Sequence, residues 1–523
     1  MVINVENLPG FRYTYRDYNL RLPQEPPGVV TDSVLLIGTA VDGPVNVPYP
    51  VTRMDDVDLI FGKMVDANGL PNEMSLVRGA QEAYAAGCRD IRLMRIGGSY
   101  ATTVLTDELA ATLISVKGFY PGSKYNNVAV VVAVSNNVVT VTINKPVGFR
   151  GESLSLTSTD YPTIGSLVEA VNKNPQNFMV KFSTNLPETA TTELQPDTYQ
   201  LSGGEDGPVP SDPDYKDQMY ALLKDAYDLL VDYDVDFRVP LDVYLDDPTS
   251  NGKDFAEQLA QHCAVASILN NTTLGIISAK PVANVELATI AAKVDALCNA
   301  ANEYYLKDDS GQLVYDEDGN KIDIGRFIVR HAGPEIIFQN NQIGAYAASG
   351  VVALAGLISM LPPHHGPVGR TVFGALGLRY SYSRSQLNRL TGARYVTFYV
   401  RPGSSSVLVT DGITSALPVS DYRRLTTMRI VAAVADIIRD ACEPFFGLPN
   451  TPANRGAMAT VIEEKLKKLK DPAVGALDDY SFQIFANLRN KLLGEAVIDV
   501  TLVPAGEIVK IKSTITLRPT LQQ

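Results

Sequence analysis

Between residues 11 and 22, apolar and polar side chains alternate. Phe11, Tyr13 and Tyr15 interleave with Arg12, Thr14 and Arg16; after a one-residue slip, Tyr18, Leu20 and Leu22 interleave with Asn19 and Arg21. A period of two predicts an extended strand with one apolar face. Pro23, Pro26, Pro27 and Gly28 follow, and a proline-rich stretch of this kind stiffens into a linker reaching about 3.1 Å per residue. No partner strand lies nearby in sequence, so residues 1–28 read as an arm. The far end repeats the pattern. Beyond Pro504 and Gly506, the apolar residues Val509, Ile511, Ile515 and Leu517 alternate with Lys510, Lys512, Thr514 and Thr516. That predicts a strand over Ile508 to Leu517 and a second arm at 505–523.

Between the arms, strand and helix patterns take turns. Val34 to Ile37 is a continuous apolar strand stopped by Gly38. Asp55 to Phe61 and Ser75 to Ala86 read as helices, the second closed by Gly87, and Ile91 to Ile96 is another strand. This order implies a crossover-connected, buried sheet. Residues 101–207 change character: short strands at 128–134, 138–143, 154–156 and 178–182 surround one helix at 164–172, with turn residues such as Ser135-Asn136-Asn137 between them. The α/β pattern returns over 208–418. Helices are predicted at 215–231, 255–269 and 285–305. Strands are predicted at 239–244, 274–278 and 327–329, with a hairpin turning at Asp318-Gly319. Pro240 places its strand at a sheet edge or makes it a strand start. The charge-free stretch Ile343 to Leu361 is long enough to cross a bilayer, but its glycines and alanines make it a buried helix packed through small residues. Helices at 421–439 and 454–470 and strands at 480–485 and 496–503 make up the last folded unit. The expectation is a mixed α/β, multi-domain chain. It has an arm at 1–28, a core in two parts at 29–100 and 208–418, an inserted β-rich outer domain at 101–207, a C-terminal domain at 419–504 and an arm at 505–523.

Composition narrows the chemistry. The chain has 523 residues and a net charge of −13, whereas a general nucleic-acid binder needs a basic footprint. It has 4 His, 4 Cys and no Trp. Cys88, Cys263, Cys298 and Cys442 form no CxxC pair and read as buried, reduced thiols. Residues Met1 to Glu6 lack the basic and apolar regions of a secretory leader. Gly38 to Gly43 follows a strand but is not GxGxxG and leads into Pro44 rather than a helix. Asp316 to Asn320 lacks the bidentate acid of a calcium loop. His364 and His365 sit between Pro363 and Gly366-Pro367, where adjacent rings cannot easily close on one metal; they read as a loop at an assembly surface. GxSxG, Walker A and HExxH patterns do not occur. No catalytic, cofactor-binding or metal residue is therefore expected. One charge cluster stands out: Lys465, Lys467, Lys468 and Lys470 lie on a helix whose apolar stripe is Ile462, Leu466 and Leu469. Facing outward in an acidic chain, they suit contact with an acidic partner.

Several short segments carry a resemblance in their order. They are Gly38-Thr39-Ala40-Val41-Asp42-Gly43-Pro44, then Ile60-Phe61-Gly62, then Ala86-Gly87-Cys88-Arg89-Asp90 before a strand. Pro121 to Asn127 follows, with Tyr125 where a glycine is usual, and then Leu201-Ser202-Gly203-Gly204-Glu205-Asp206-Gly207. Asp411-Gly412, Asp421 to Arg424 and Gly447-Leu448-Pro449-Asn450-Thr451-Pro452 complete the series. Taken together with the two arms, the set resembles the tail sheath proteins of contractile phages. The resemblance implies a structural protein with no enzyme activity and no cofactor. Six-fold rings of it would stack helically around an inner tail tube, linked by strands exchanged between neighbours, and would contract to drive the tube through a host envelope. Partners implied are other copies of the chain, the tube protein, and baseplate and terminator proteins, with no nucleic acid and no membrane insertion. The location implied is the virion tail, assembled in host cytoplasm. The C-terminal domain would face the tube, with Lys465, Lys467, Lys468 and Lys470 as its contact. The strands would be Phe11, Tyr13, Tyr15, Tyr18, Leu20, Val509, Ile511, Ile515 and Leu517, with hinges at Pro26, Pro27, Gly28, Pro504 and Gly506. Another shell or tail component, the sheath of a tailocin or injection device, and a cytoplasmic enzyme of unrecognised chemistry stand as alternatives.

Overall fold

The structure, a computed structural model, describes residues 32–65, 69–269, 272–308, 310–316, 318–401, 403–471 and 474–509. Expectations on Phe11, Tyr13, Tyr15, Tyr18, Leu20, Pro26, Pro27, Gly28, Ile511, Ile515 and Leu517 lie outside the described residues.

Among the described residues, the central sheet has six strands. Their order is Ile328–His331, Leu274–Ser278, Phe237–Pro240, Val34–Gly38, Ile91–Arg95 and Tyr49–Val51. All pairs are parallel except the last, where Tyr49 to Val51 runs against Ile91 to Leu93. Leu36 lies in register with Val239 on one side and Leu93 on the other. Every residue of Val34–Gly38 is buried, as a parallel strand covered on both faces requires. Helices Leu76–Ala85, Phe255–Leu269 and Val351–Ser359 supply that cover.

Three sequence expectations need correction here. Pro240 sits on an interior strand, not an edge. It is tolerated because the ladder toward Leu274–Ser278 has already ended at Arg238, and on the other side Leu241 N–H takes over, donating to Ile37 O at 2.9 Å. The stretch 343–361 is not one helix. Gly344–Ala348 pairs antiparallel with Ile336–Asn340, Ala348 opposite Ile336. The helix begins only at Val351, after Gly350 in the left-handed region at φ +83°. Its residues Val351–Ser359 are all buried, so the small-residue packing holds over half the predicted length. The helix expected to reach Tyr305 likewise stops at Asn299. Just beyond it, the Asn302 carbonyl accepts from Arg394 Nη2 at 2.6 Å and the Asn302 side chain accepts from Arg330.

Residues 101–201 build their own core, with Val116, Val130, Val141, Leu167 and Phe182 among its members. One sheet runs Asp197–Gln200, Ala129–Ser135, Val138–Ile143, Leu154–Thr157; the other runs Thr102–Thr106, Thr112–Gly118, Val180–Ser183. Helix Ile164–Lys173 packs against Val180–Ser183 and Thr112–Gly118 of the second sheet, started by Thr163 accepting from Ser166 N–H. Polar contacts tie this part to the central sheet. The wholly buried Arg95 donates to Gly43 O and Pro121 O at 3.1 and 2.8 Å, and Asp206 accepts from Ser123 N–H and Oγ–H at 2.9 and 2.7 Å.

Candidate assembly surface

The final part of the described chain holds helix Leu425–Cys442, helix Pro452–Lys470 and a hairpin of Leu477–Phe485 and Val497–Pro504. Thr451 starts the second helix by accepting from Asn454 N–H at 3.2 Å, with Pro452 at the first helical position. Ile430, Val434, Cys442, Ile462, Leu466 and Leu477 form the small core between them.

Ile462 and Leu466 face that core and Leu469 is half-buried against it. Lys467, Lys468 and Lys470 are exposed, but Lys465 is half-buried. It lies near Cys442, whose thiol burial pushes up to about 11 with the lysine opposing. The cations do not stand alone. Lys470 pairs with Asp479 at 2.7 Å, Lys468 with Glu464 at 3.6 Å, and Glu463 accepts from Tyr480 Oη–H at 3.0 Å. The surface is thus a mixed-charge lattice. A hollow of about 410 Å³ lies between helix and strand, lined by Glu463, Lys470, Tyr480, Phe482 and Ile484.

The hairpin is the other element of the surface. Tyr480, Phe482 and Ile484 lean toward the helices while Ser481 and Gln483 face solvent. Its strands pair from Leu477–Pro504 to Phe485–Val497, and among the described residues they pair only with each other. Each therefore keeps one unpaired edge. A two-stranded ribbon is marginal by itself, and an open edge is a template for another strand. At its tip, Leu488, Leu492 and Leu493 of the short helix Leu488–Leu493 are exposed.

The C-terminal candidates fall in three places. Pro504 is the hairpin's last rung, opposite Leu477, rather than part of a loop. Gly506 lies in open space. Ile508 and Val509 are irregular, Ile508 82% exposed and Val509 half-buried, so the predicted strand does not start at 508. Sequence reasoning gave no role to Arg424 and Arg429, whose carboxylate partners Glu507 and Asp32 lie close to both undescribed ends. The available signal was the absence of any acid in the first turn of Leu425–Cys442, preceded by Arg423-Arg424.

His364 and His365 lie in the loop after Val351–Ser359. Cys88, Cys263 and Cys442 are buried and free, while Cys298 is only half-buried. Among the described residues, no cluster of three His, Cys, Asp or Glu side chains could hold a metal ion, and no helix is long and apolar enough to cross a membrane.

No family model and no curated protein sequence matches this chain. Solved structures do. A sheath tail protein from Listeria innocua matches with a TM-score of 0.55 at 14% identity, over 91% of this chain and 96% of that one. A sheath tail protein from Desulfitobacterium hafniense matches with a TM-score of 0.52 at 13% identity, over 93% of this chain and 99% of that one. The likeness read from short motifs thus extends to architecture along nearly the whole chain, and this protein has the mixed α/β fold of the sheath tail proteins.

Proposed function

We propose that this chain is a non-catalytic subunit of a contractile tail sheath. Six-fold rings stack around an inner tube, neighbours are joined by exchanged strands, and shortening of the stack drives the tube into a target envelope. The particle is the place of action; other copies of the chain, the tube and the end structures of the tail are the partners. The observation that carries this reading is the Leu477–Phe485/Val497–Pro504 ribbon with both outer edges open, in a chain whose ends carry alternating apolar patterns. Adding a strand to such an edge combines ladder hydrogen bonds with side-chain burial. Burial of Val509, Ile511, Ile515 and Leu517 contributes about 1.5–3 kcal/mol each, and each net ladder bond about 0.5–1.5 kcal/mol. Apolar burial leads, so a joint of this type survives rotation of the subunits it links. The fold shared with two sheath tail proteins supports the same reading. The test is to purify the protein alone and view it by negative-stain electron microscopy. Long, regularly striated tubes are expected; a monomer or small closed oligomer under all conditions, or a closed shell, overturns the proposal.

A further inference from the structure

Helix Leu425–Cys442 starts in an unfavourable electrostatic setting. Its first turn has no acidic residue, its N-cap is Arg424, and Arg429 follows one turn later. A helix N-terminus carries partial positive charge and prefers anions. Both guanidinium groups are answered by carboxylates from distant parts of the chain. Arg424 Nη1 lies 2.8 Å from Asp411 Oδ1, and its Nε donates to Glu507 Oε1 at 2.6 Å, with Nη2 on the same oxygen. Arg429, 4% exposed, reaches Asp32 Oδ2 at 2.7 Å. It also donates to Pro362 O at 3.2 Å and to Leu361 O, and Asp32 N–H donates to Ser359 O at 3.0 Å.

The loop between the two arginines is the Pro-Pro-His-His-Gly-Pro segment 362–367. The carbonyls of Pro362, its first residue, and of Leu361 just before it accept from Arg429. Its Gly366 leaves room for Glu507, because any side chain there would overlap that carboxylate. Pro367 then packs against Gly412, whose missing side chain makes room for it.

We infer that Arg424 and Arg429 form a double clasp: through Glu507 and Asp32, they fix the two points at which the end stretches of the chain join the folded body. Their role is positioning. For its consequence the inference rests on the assembly reading. If the end stretches carry the joints between subunits, load on either joint arrives at the start of one helix, which packs on the lysine-bearing helix. Charge-assisted pairs with this degree of burial are costly to break by removing one partner.

The experiment compares wild type with Glu507→Gln, Asp32→Asn and Arg424→Lys. Two quantities are measured: backbone hydrogen exchange in the unassembled full chain and the mass of pelletable assemblies. In Glu507→Gln, exchange at the Ala505 amide, which donates to Ala476 O at 3.1 Å, should accelerate about tenfold, as for loss of a charge-assisted bond. Residues 480–485 should stay at the wild-type rate. Asp32→Asn should accelerate exchange at the amide of position 32, which donates to Ser359 O, and spare the Ala505 amide. Arg424→Lys keeps the charge but cannot span Asp411 and Glu507 together, so it should fall between wild type and Glu507→Gln. Assembly should follow the same order. Should Glu507→Gln fail to fold, Gly366→Ala crowds the same carboxylate without removing charge and is read in the same way. Unchanged exchange at both sites overturns the clasp. Absence of tubes from the wild-type chain overturns the assembly reading instead, and the exchange data still decide the clasp.

Discussion

Glu82 lies on helix Leu76–Ala85 at 4% exposure. Burial pushes its carboxyl up to about 7; Arg78, one turn earlier, opposes, Asp242 reinforces, and the Tyr346 hydroxyl opposes. Asp236 is also pushed up to about 7 by burial, aided by Asp32 and opposed by hydrogen bonds from Ser33. A carboxyl raised above its unfolded value binds its proton more tightly when folded. Its contribution is full below the unfolded value and is lost as pH rises through about 7. Thermal unfolding should therefore become easier from about pH 5 to pH 8, and Glu82→Gln should remove a share of that slope on the order of 1–3 kcal/mol. An unchanged slope in a titration of unfolding against pH would refute the assignment. A second residue effect is steric. An alanine at Gly275 would place its Cβ 2.5 Å from Leu259 Cγ, where helix Phe255–Leu269 presses on the sheet. Gly275→Ala should cost on the order of 1–3 kcal/mol in chemical denaturation. Leu259→Ala should cost less in that background than in wild type, because the two sites share one space. The sequence marked 274–278 as a strand, but nothing in it showed which helix side chain would press on its glycine.

At the scale of elements, helix Pro452–Lys470 invites a charge test. Lys467 and Lys468 are exposed and oppose the negative end of the helix dipole. Reversing them with Lys467→Glu and Lys468→Glu should leave folding within about 1 kcal/mol, as for most surface changes. Co-sedimentation with an acidic tube should weaken several-fold, while the chain's own polymerisation persists. Equal loss of both would point to an ordinary structural role for the lysines instead of a tube contact. The stripe Ile462-Leu466-Leu469 made this helix legible, because a 3.6-residue period over a long amphipathic segment has few competing explanations. Segment 343–361 was not legible for the opposite reason. It is apolar throughout, so neither period stands out, and the alternation of exposure along Gly344–Ala348 comes from a partner strand eight residues earlier. Pro240 misled in a related way. Its consequence depends on where neighbouring ladders end, and that is set by tertiary register rather than by local sequence.

At the scale of the whole molecule, the described cores close among residues 32–509. The central sheet, the second core over 101–201 and the C-terminal helix pair are built from residues 32–509. A graded truncation separates the contributions. Removing 510–523 spares Glu507, Arg424 and all of the described cores. That chain should unfold within about 2 °C of wild type yet form no tubes. Removing 505–523 also takes Glu507 away, leaving Arg424 with Asp411 alone. It should unfold earlier as well as fail to assemble. Calorimetry and electron microscopy on the two truncated chains read the two effects separately. Tubes of normal length from the shorter truncation would show that subunits are joined by something other than strands added at this end.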